Sequence, residues 1–135
     1  MAFLLGVAVP AFGVMKIFSG GGDGVSWHDA QNWLVGGIPL PSDIVTIDQS
    51  GVFVKTSKDF LASSVTVGGK SVSTWSVEPF VFGTVVPATP EEPAIFLRKG
   101  GTLLLKGNGT VVLKGSFKNS EESLPTEPSM MILLE

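Results

Sequence analysis

The chain has no cysteine and no tyrosine, and only one histidine among its 135 residues. Without thiols there is no disulfide and no thiolate metal site, so stability must come from packing or from assembly. With a lone histidine, His28, and neither cysteine nor tyrosine, the side chains available for acid–base work are few. Charge is scarce as well: 16% of residues are charged, with 9 basic against 12 acidic side chains and a net charge of −3. The basic residues are scattered, and only Arg98-Lys99 are adjacent. That pattern lacks the positive surface that displaces counterions from phosphate, which argues against a nucleic-acid partner. The sequence also contains no phosphate loop, dinucleotide fingerprint, G-x-S-x-G or EF-hand pattern. Asp23, Asp29, Asp43 and Asp48 are spread through turn-like stretches, so neither a metal nor a cofactor is expected.

What is abundant is apolar and turn-forming. Hydrophobic residues make up 44% of the chain, mean hydropathy is +0.40, and there are 17 glycines and 9 prolines. The length suits one domain with a real core. Such low charge suggests that part of the apolar surface is covered by a partner.

The densest signal is residues 26–47, S-W-H-D-A-Q-N-W-L-V-G-G-I-P-L-P-S-D-I-V-T-I. Gly36 and Gly37 accept positive φ and Pro39 and Pro41 preset it, which predicts a chain reversal. Trp27 and Trp33, the largest apolar side chains available, are expected to cap one end of a core. The pattern W, N-W, G-x-P, D-x-V-x-I resembles the opening of short β-solenoid and β-sandwich modules of bacterial surface proteins and phage head and tail accessory proteins. It covers about a sixth of the chain and marks architecture, not chemistry.

Short β-branched runs bounded by turns follow at residues 44–47, 52–55, 64–67, 74–77 and 80–82, while residues 59–62 fit one helical turn. Residues 102–115 carry a weak repeat, T-L-L-L-K-G-N-G then T-V-V-L-K-G-S-F. Asn108-Gly109 favours a two-residue hairpin pairing residues 103–106 with 110–113; the alternative is coils of a solenoid stacking like on like. Residues 85–93 read as a Pro-rich acidic loop, exposed and semi-extended, that interrupts any regular solenoid. The fold expected is all-β: a single compact body, a short β-solenoid or a jelly-roll-like sandwich, with extended apolar arms at both ends.

The arms bound the domain organisation. Residues 1–24 read as an apolar N-terminal arm and Gly-rich hinge, 25–118 as the β body, and 119–135 as a polar linker and apolar C-terminal arm. The first eighteen residues imitate a signal peptide but lack a positive start and a clean A-x-A site, and as a membrane span they are short and broken by Gly6, Pro10 and Gly13. They read best as an arm docked on a neighbouring subunit, the alternatives being a strand within its own domain or a membrane or export signal. Partner contacts are assigned to Phe3, Leu4, Leu5, Val7, Phe12 and Ile17 in the first arm, and to Met130, Met131, Ile132, Leu133 and Leu134 in the second, the alternative for the second being that it folds back onto its own body.

Chemistry fares poorly. His28-Asp29 with Asp43 or Asp48 makes an acid–base set on paper, but Asp29 suits capping of residues 30–33 and Asp43 a strand entry. The expected function is therefore structural and non-enzymatic: a capsid decoration (cement) protein on the outer surface of a tailed-phage virion. That resemblance implies the major capsid protein as partner and a homo-oligomer, often a trimer, with no membrane. The alternative is a carbohydrate-binding or adhesion module, secreted or on the bacterial surface, in which Trp27, Trp33 and Trp75 stack on sugar with Asp29, Gln31 and Asn32 beside them. Trp33→Ala separates the two. A core cap costs about 3–5 kcal/mol on truncation and lowers the melting temperature; an exposed sugar platform leaves the melting curve unchanged and loses glycan binding.

Overall fold

The computed structural model describes residues 14–119 and 131–134. The described strands form three sheets, and the chain visits them in rotation. β1 (Met15–Ile17) opens the first sheet. β2 (Ile44–Ile47), β3 (Val52–Thr56) and β4 (Phe60–Ala62) then take one place each in the first, second and third sheets. β5 (Ser64–Val67), β6 (Ser73–Val77) and β7 (Phe82–Val85) repeat the circuit. β8 (Ile95–Leu97), β9 (Gly101–Leu105) and β10 (Thr110–Leu113) repeat it again, and β11 (Phe117–Asn119) and β12 (Met131–Leu134) extend the first two sheets. All nine ladders among the described strands are parallel. A 3-10 turn at Ala30–Asn32 is the sole helical element among the described residues.

Strand alternation sends every second residue inward, and the parallel register stacks those residues circuit upon circuit. Val45, Val65 and Ile95 form one such column, and Ile47, Val67 and Leu97 another. In the second sheet Val54, Trp75 and Leu103 stack in register. All nine are buried. Trp27 lies on Trp75 with ring centroids 5.6 Å apart and contacts Trp33 edge-on at 5.5 Å; Phe18 meets Trp33 edge-on at 5.1 Å. These rings belong to one continuous core. Trp27 and Trp33 are 0% and 2% exposed.

Several expectations are corrected. Residues 59–62 are not a helical turn: Phe60–Ala62 is β4, held on β7. The Asn108-Gly109 hairpin does not form, because β9 pairs with β6 and β12 while β10 pairs with β7. The two halves of the 102–115 repeat are consecutive strands on different sheets, so their likeness reflects equal burial demands and not mutual pairing. Residues 19–24 are no hinge, since hydrogen bonds to Asn32 and Asp29 pin them. The Pro-rich loop leaves the rotation intact, because Val65 still stacks on Ile95 across it.

The arms also differ from expectation where they are described. Ile17 lies in β1 beside Thr46 of β2, and Phe18 is buried in the chain's own core, so residues 14–18 belong to the body. Met131–Leu134 add as β12 to the edge of the chain's own β9, register Met131 to Thr102. The physical reason is the same at both ends: the rotation leaves an unfilled sheet edge there, and main-chain hydrogen bonding fills it. Phe3, Leu4, Leu5, Val7, Phe12 and Met130 lie outside the described residues.

Close stacking of circuits makes one corner intolerant of any side chain. A Cβ on Gly101 would sit 2.1 Å from the Val67 carbonyl oxygen, a backbone atom that cannot step aside. Gly101→Ala is expected to lower stability by about 3 kcal/mol, the upper end for overpacking. Gly51→Ala, where no atom lies within 4 Å and φ is +72°, carries only the left-handed backbone penalty of about 1–2 kcal/mol. Urea midpoints of the two variants check the ranking.

Candidate interaction surface

The acid–base set drawn from the sequence is dispersed by backbone hydrogen bonding. Asp29 accepts from the Gln31 and Asp23 amides at 3.0 and 2.9 Å, capping the 3-10 turn as expected. Asp43 accepts from the Val14 and Leu40 amides at 3.0 and 2.8 Å, and Asp48 from Lys70 and Ser71. Each carboxylate closes a turn, and none is hydrogen-bonded to His28. Asp23 is held well below the usual carboxylate range, first by the Ser26 hydroxyl at 2.5 Å, then by the Ser26 amide and the Asn32 side chain. Among the described residues no group of three or more His, Asp or Glu side chains could hold a metal ion. No helix among the described residues is long and apolar enough to cross a membrane.

The three tryptophans are equally committed to structure. Trp33 donates its indole N–H to the Trp27 carbonyl at 2.8 Å, and Trp75 donates to the Thr56 hydroxyl at 2.9 Å. All three are buried. They present no stacking face to a sugar.

What the surface does offer is apolar and rigidly mounted. The 34–37 turn carries Leu34 and Val35, the latter 82% exposed. Lys16 clamps this turn through its ammonium on the Gly36 carbonyl at 2.6 Å, and the Leu34 amide donates to the Ile17 carbonyl at 2.9 Å. Gly36 and Gly37 take the positive φ expected of them, at 81° and 88°. Val35 itself has φ 75°, a strained conformation for a β-branched residue. Phe80 repeats the combination, 80% exposed with φ 67°. Positive φ at a non-glycine residue thus coincides with high exposure at two apolar tips.

Phe80 leads into β7, whose neighbour Phe82 stands on the outer face of the third sheet with Leu61 of β4. A cleft of about 410 Å³ opens beside them, lined by Leu61, Phe82, Phe60, Pro39, Pro41 and His28, among others. Asp59 on its rim accepts from the Phe82 amide at 2.9 Å and so fixes the start of β7. None of Leu61, Val35, Phe80 or Phe82 was singled out from the sequence as a contact. Residues 80–82 read as a short strand in the sequence, but only the sheet assignment, with β7 starting at Phe82, turns Phe82 outward. Comparison of the chain with family models, curated proteins and solved structures gives no match.

His28 provides a pH readout of this region. Partial burial is the first cause that lowers its pKa below the ordinary 6.5; Lys58 lowers it further, and a hydrogen bond to the Asp59 backbone opposes them. Above 6.5 the imidazole is neutral in both folded and unfolded chains. As pH falls below 6.5 the unfolded chain takes up a proton that the folded chain resists, so stability declines until the folded pKa is passed. Thermal melts between about pH 7 and 5.5 are expected to show a decline in the wild type that His28→Gln flattens.

Proposed function

We propose that the protein is a non-catalytic assembly module, and specifically a decoration protein on the outer surface of a tailed-phage capsid, bridging major capsid subunits. The body is read as a short three-faced β-solenoid, a reading supported by the rotation of strands through three parallel sheets. A jelly roll is built from antiparallel pairs and does not fit that pairing. The observation that carries the function is the set of exposed apolar residues on fixed backbone: Val35 and Phe80 on strained turns, Leu61 and Phe82 on one sheet face.

A decoration protein must grip a large, preformed surface without paying much ordering entropy on contact. Rigidly mounted apolar tips meet that demand, because little conformational freedom is left to lose. A parallel stacked core resists local fraying, which suits a part that braces a shell. The carbohydrate-binding alternative has lost its motivating residues to the core, so no second function is proposed. Homo-oligomerisation, often trimeric in the family that the sequence resembles, is part of the same reading.

Co-sedimentation of the purified chain with expanded capsids lacking it is the test, scored beside immuno-electron microscopy of native particles. Saturable binding is expected, and the double variant Leu61→Lys/Phe82→Lys is expected to bind at least about tenfold more weakly with an unchanged melting temperature. Absence of the protein from native particles, or equal binding by the variant, overturns the proposal. Burying two such side chains is worth about 1.5–3 kcal/mol each, which is the basis for the tenfold figure.

A further inference from the structure

The third sheet differs from the other two. The first two carry five and four strands, whereas the third has only β4, β7 and β10. On its β10 side no described strand follows, although β11 and β12 continue the first and second sheets past β8 and β9. Among the described residues the place directly above β10 is therefore unfilled. The bond from the Thr110 amide to the Val81 carbonyl and that from Lys114 to Val85, 2.9 Å each, point toward β7. By strand alternation the Val111 and Leu113 amides then face the open edge.

Among the described residues the core is also less covered at the same place. Its other end is plugged by Phe18, Trp27 and Trp33, at most 2% exposed. At the β10 end, Val111, Leu113 and Leu105 pack on the core yet remain only partly buried. An apolar strand with bulky residues on one face would complete both the ladder and the core. Residues 3–9, F-L-L-G-V-A-V, have that pattern: Phe3, Leu5, Val7 and Val9 alternate with Leu4, Gly6 and Ala8, and no proline interrupts the run.

We infer that residues 3–9 of a second copy of this chain add as a parallel strand to the β10 edge, joining copies head to tail. The donor is a second copy because of reach. Val14 enters at the first step of the first sheet, through its carbonyl bond to Ile44, and the vacant place lies four strand steps higher, roughly 19 Å at the usual spacing. A parallel strand would end at Val9, above the corner that Val14 occupies. Five residue steps from Val9 to Val14 span at most about 18 Å when fully stretched, with no allowance for skirting the body. A neighbour seated on the β10 end would meet the edge directly, since running its rotation backwards from β1 leads to the third sheet. This goes beyond the capsid reading and does not depend on it, because the contact is between copies of the chain.

The absence of cysteine makes the test clean. Gly6→Cys and Val112→Cys, both on the outward side of their strands in this pairing, are made in separately tagged chains, mixed and oxidised; Leu4→Cys and Ala8→Cys with the same partner cover shifts of register. Neighbouring parallel strands bring Cα atoms to about 4.8 Å, within disulfide range. A cross-linked species containing both tags from at least one pair, together with a light-scattering mass for the wild type at least twice the 14.1 kDa of one chain, is the expected result. A monomeric wild type, or oxidation that links none of the three pairs between chains, overturns the inference. Cross-linking only within one doubly substituted chain would assign the strand to its own body and overturn it equally.

Discussion

The molecule depends on the satisfaction of one buried amide. Asn32 is fully buried and makes four side-chain hydrogen bonds, the full complement of its carboxamide. Its Oδ1 accepts from the Gly22 and Gly24 amides at 2.8 and 2.9 Å, while Nδ2 donates to the Asp23 carboxylate and the Ser26 carbonyl at 2.8 Å each. Its own carbonyl accepts from Ser19 and Gly20. A polar group buried this deeply is costly unless every partner is present. The network therefore fixes residues 19–32 as a unit, and the loop around it must be glycine-rich: a Cβ on Gly22 would collide with the Asp29 carboxylate. From that unit Trp27 and Trp33 project into the core and close its end.

Once one end is closed, parallel stacking orders the rest. Inward residues form columns of Val, Ile and Leu, and corners between strands become the places where sequence can vary. The loop of residues 86–94 enters at one such corner without shifting the register between β5 and β8. The same rule explains how a surface can be both apolar and stable. Outward positions such as Leu61 and Phe82 bear no structural duty, and the turns carrying Val35 and Phe80 are clamped by backbone and Lys16 hydrogen bonds that do not involve the exposed side chains. Contact residues can then be chosen for a partner with little cost to the fold.

Much of the strand inventory was legible in the chain. Ile44–Ile47, Ser64–Val67 and Thr110–Leu113 match the runs of β-branched residues, since alternation and flanking turn residues are local signals. Asp29 as a cap and Trp27 and Trp33 as core plugs were legible for the same reason. The failures were non-local. Asn108-Gly109 is a strong hairpin signal, yet three sheets of parallel partners outweigh one turn preference, and the flanking strands go to β6 and β7. The glycines of residues 19–24 looked like a hinge because their pinning group, Asn32, lies eight or more residues on. The exposed surface was not legible, because an apolar residue in a short strand faces core or solvent according to a register that pairing sets.

The sequence by itself determined the class of the protein: all-β, without cysteine, and rich in turns that isolate short apolar runs. Composition and local periodicity suffice for that, because residue types and their alternation are read from neighbouring positions. Only the tertiary structure decided the pairing of strands and the placing of Val35, Leu61, Phe80 and Phe82 outside. Those outcomes depend on which strand lies above which, and that is fixed by the summed packing of columns drawn from residues twenty or thirty positions apart, a relation no local stretch of chain contains.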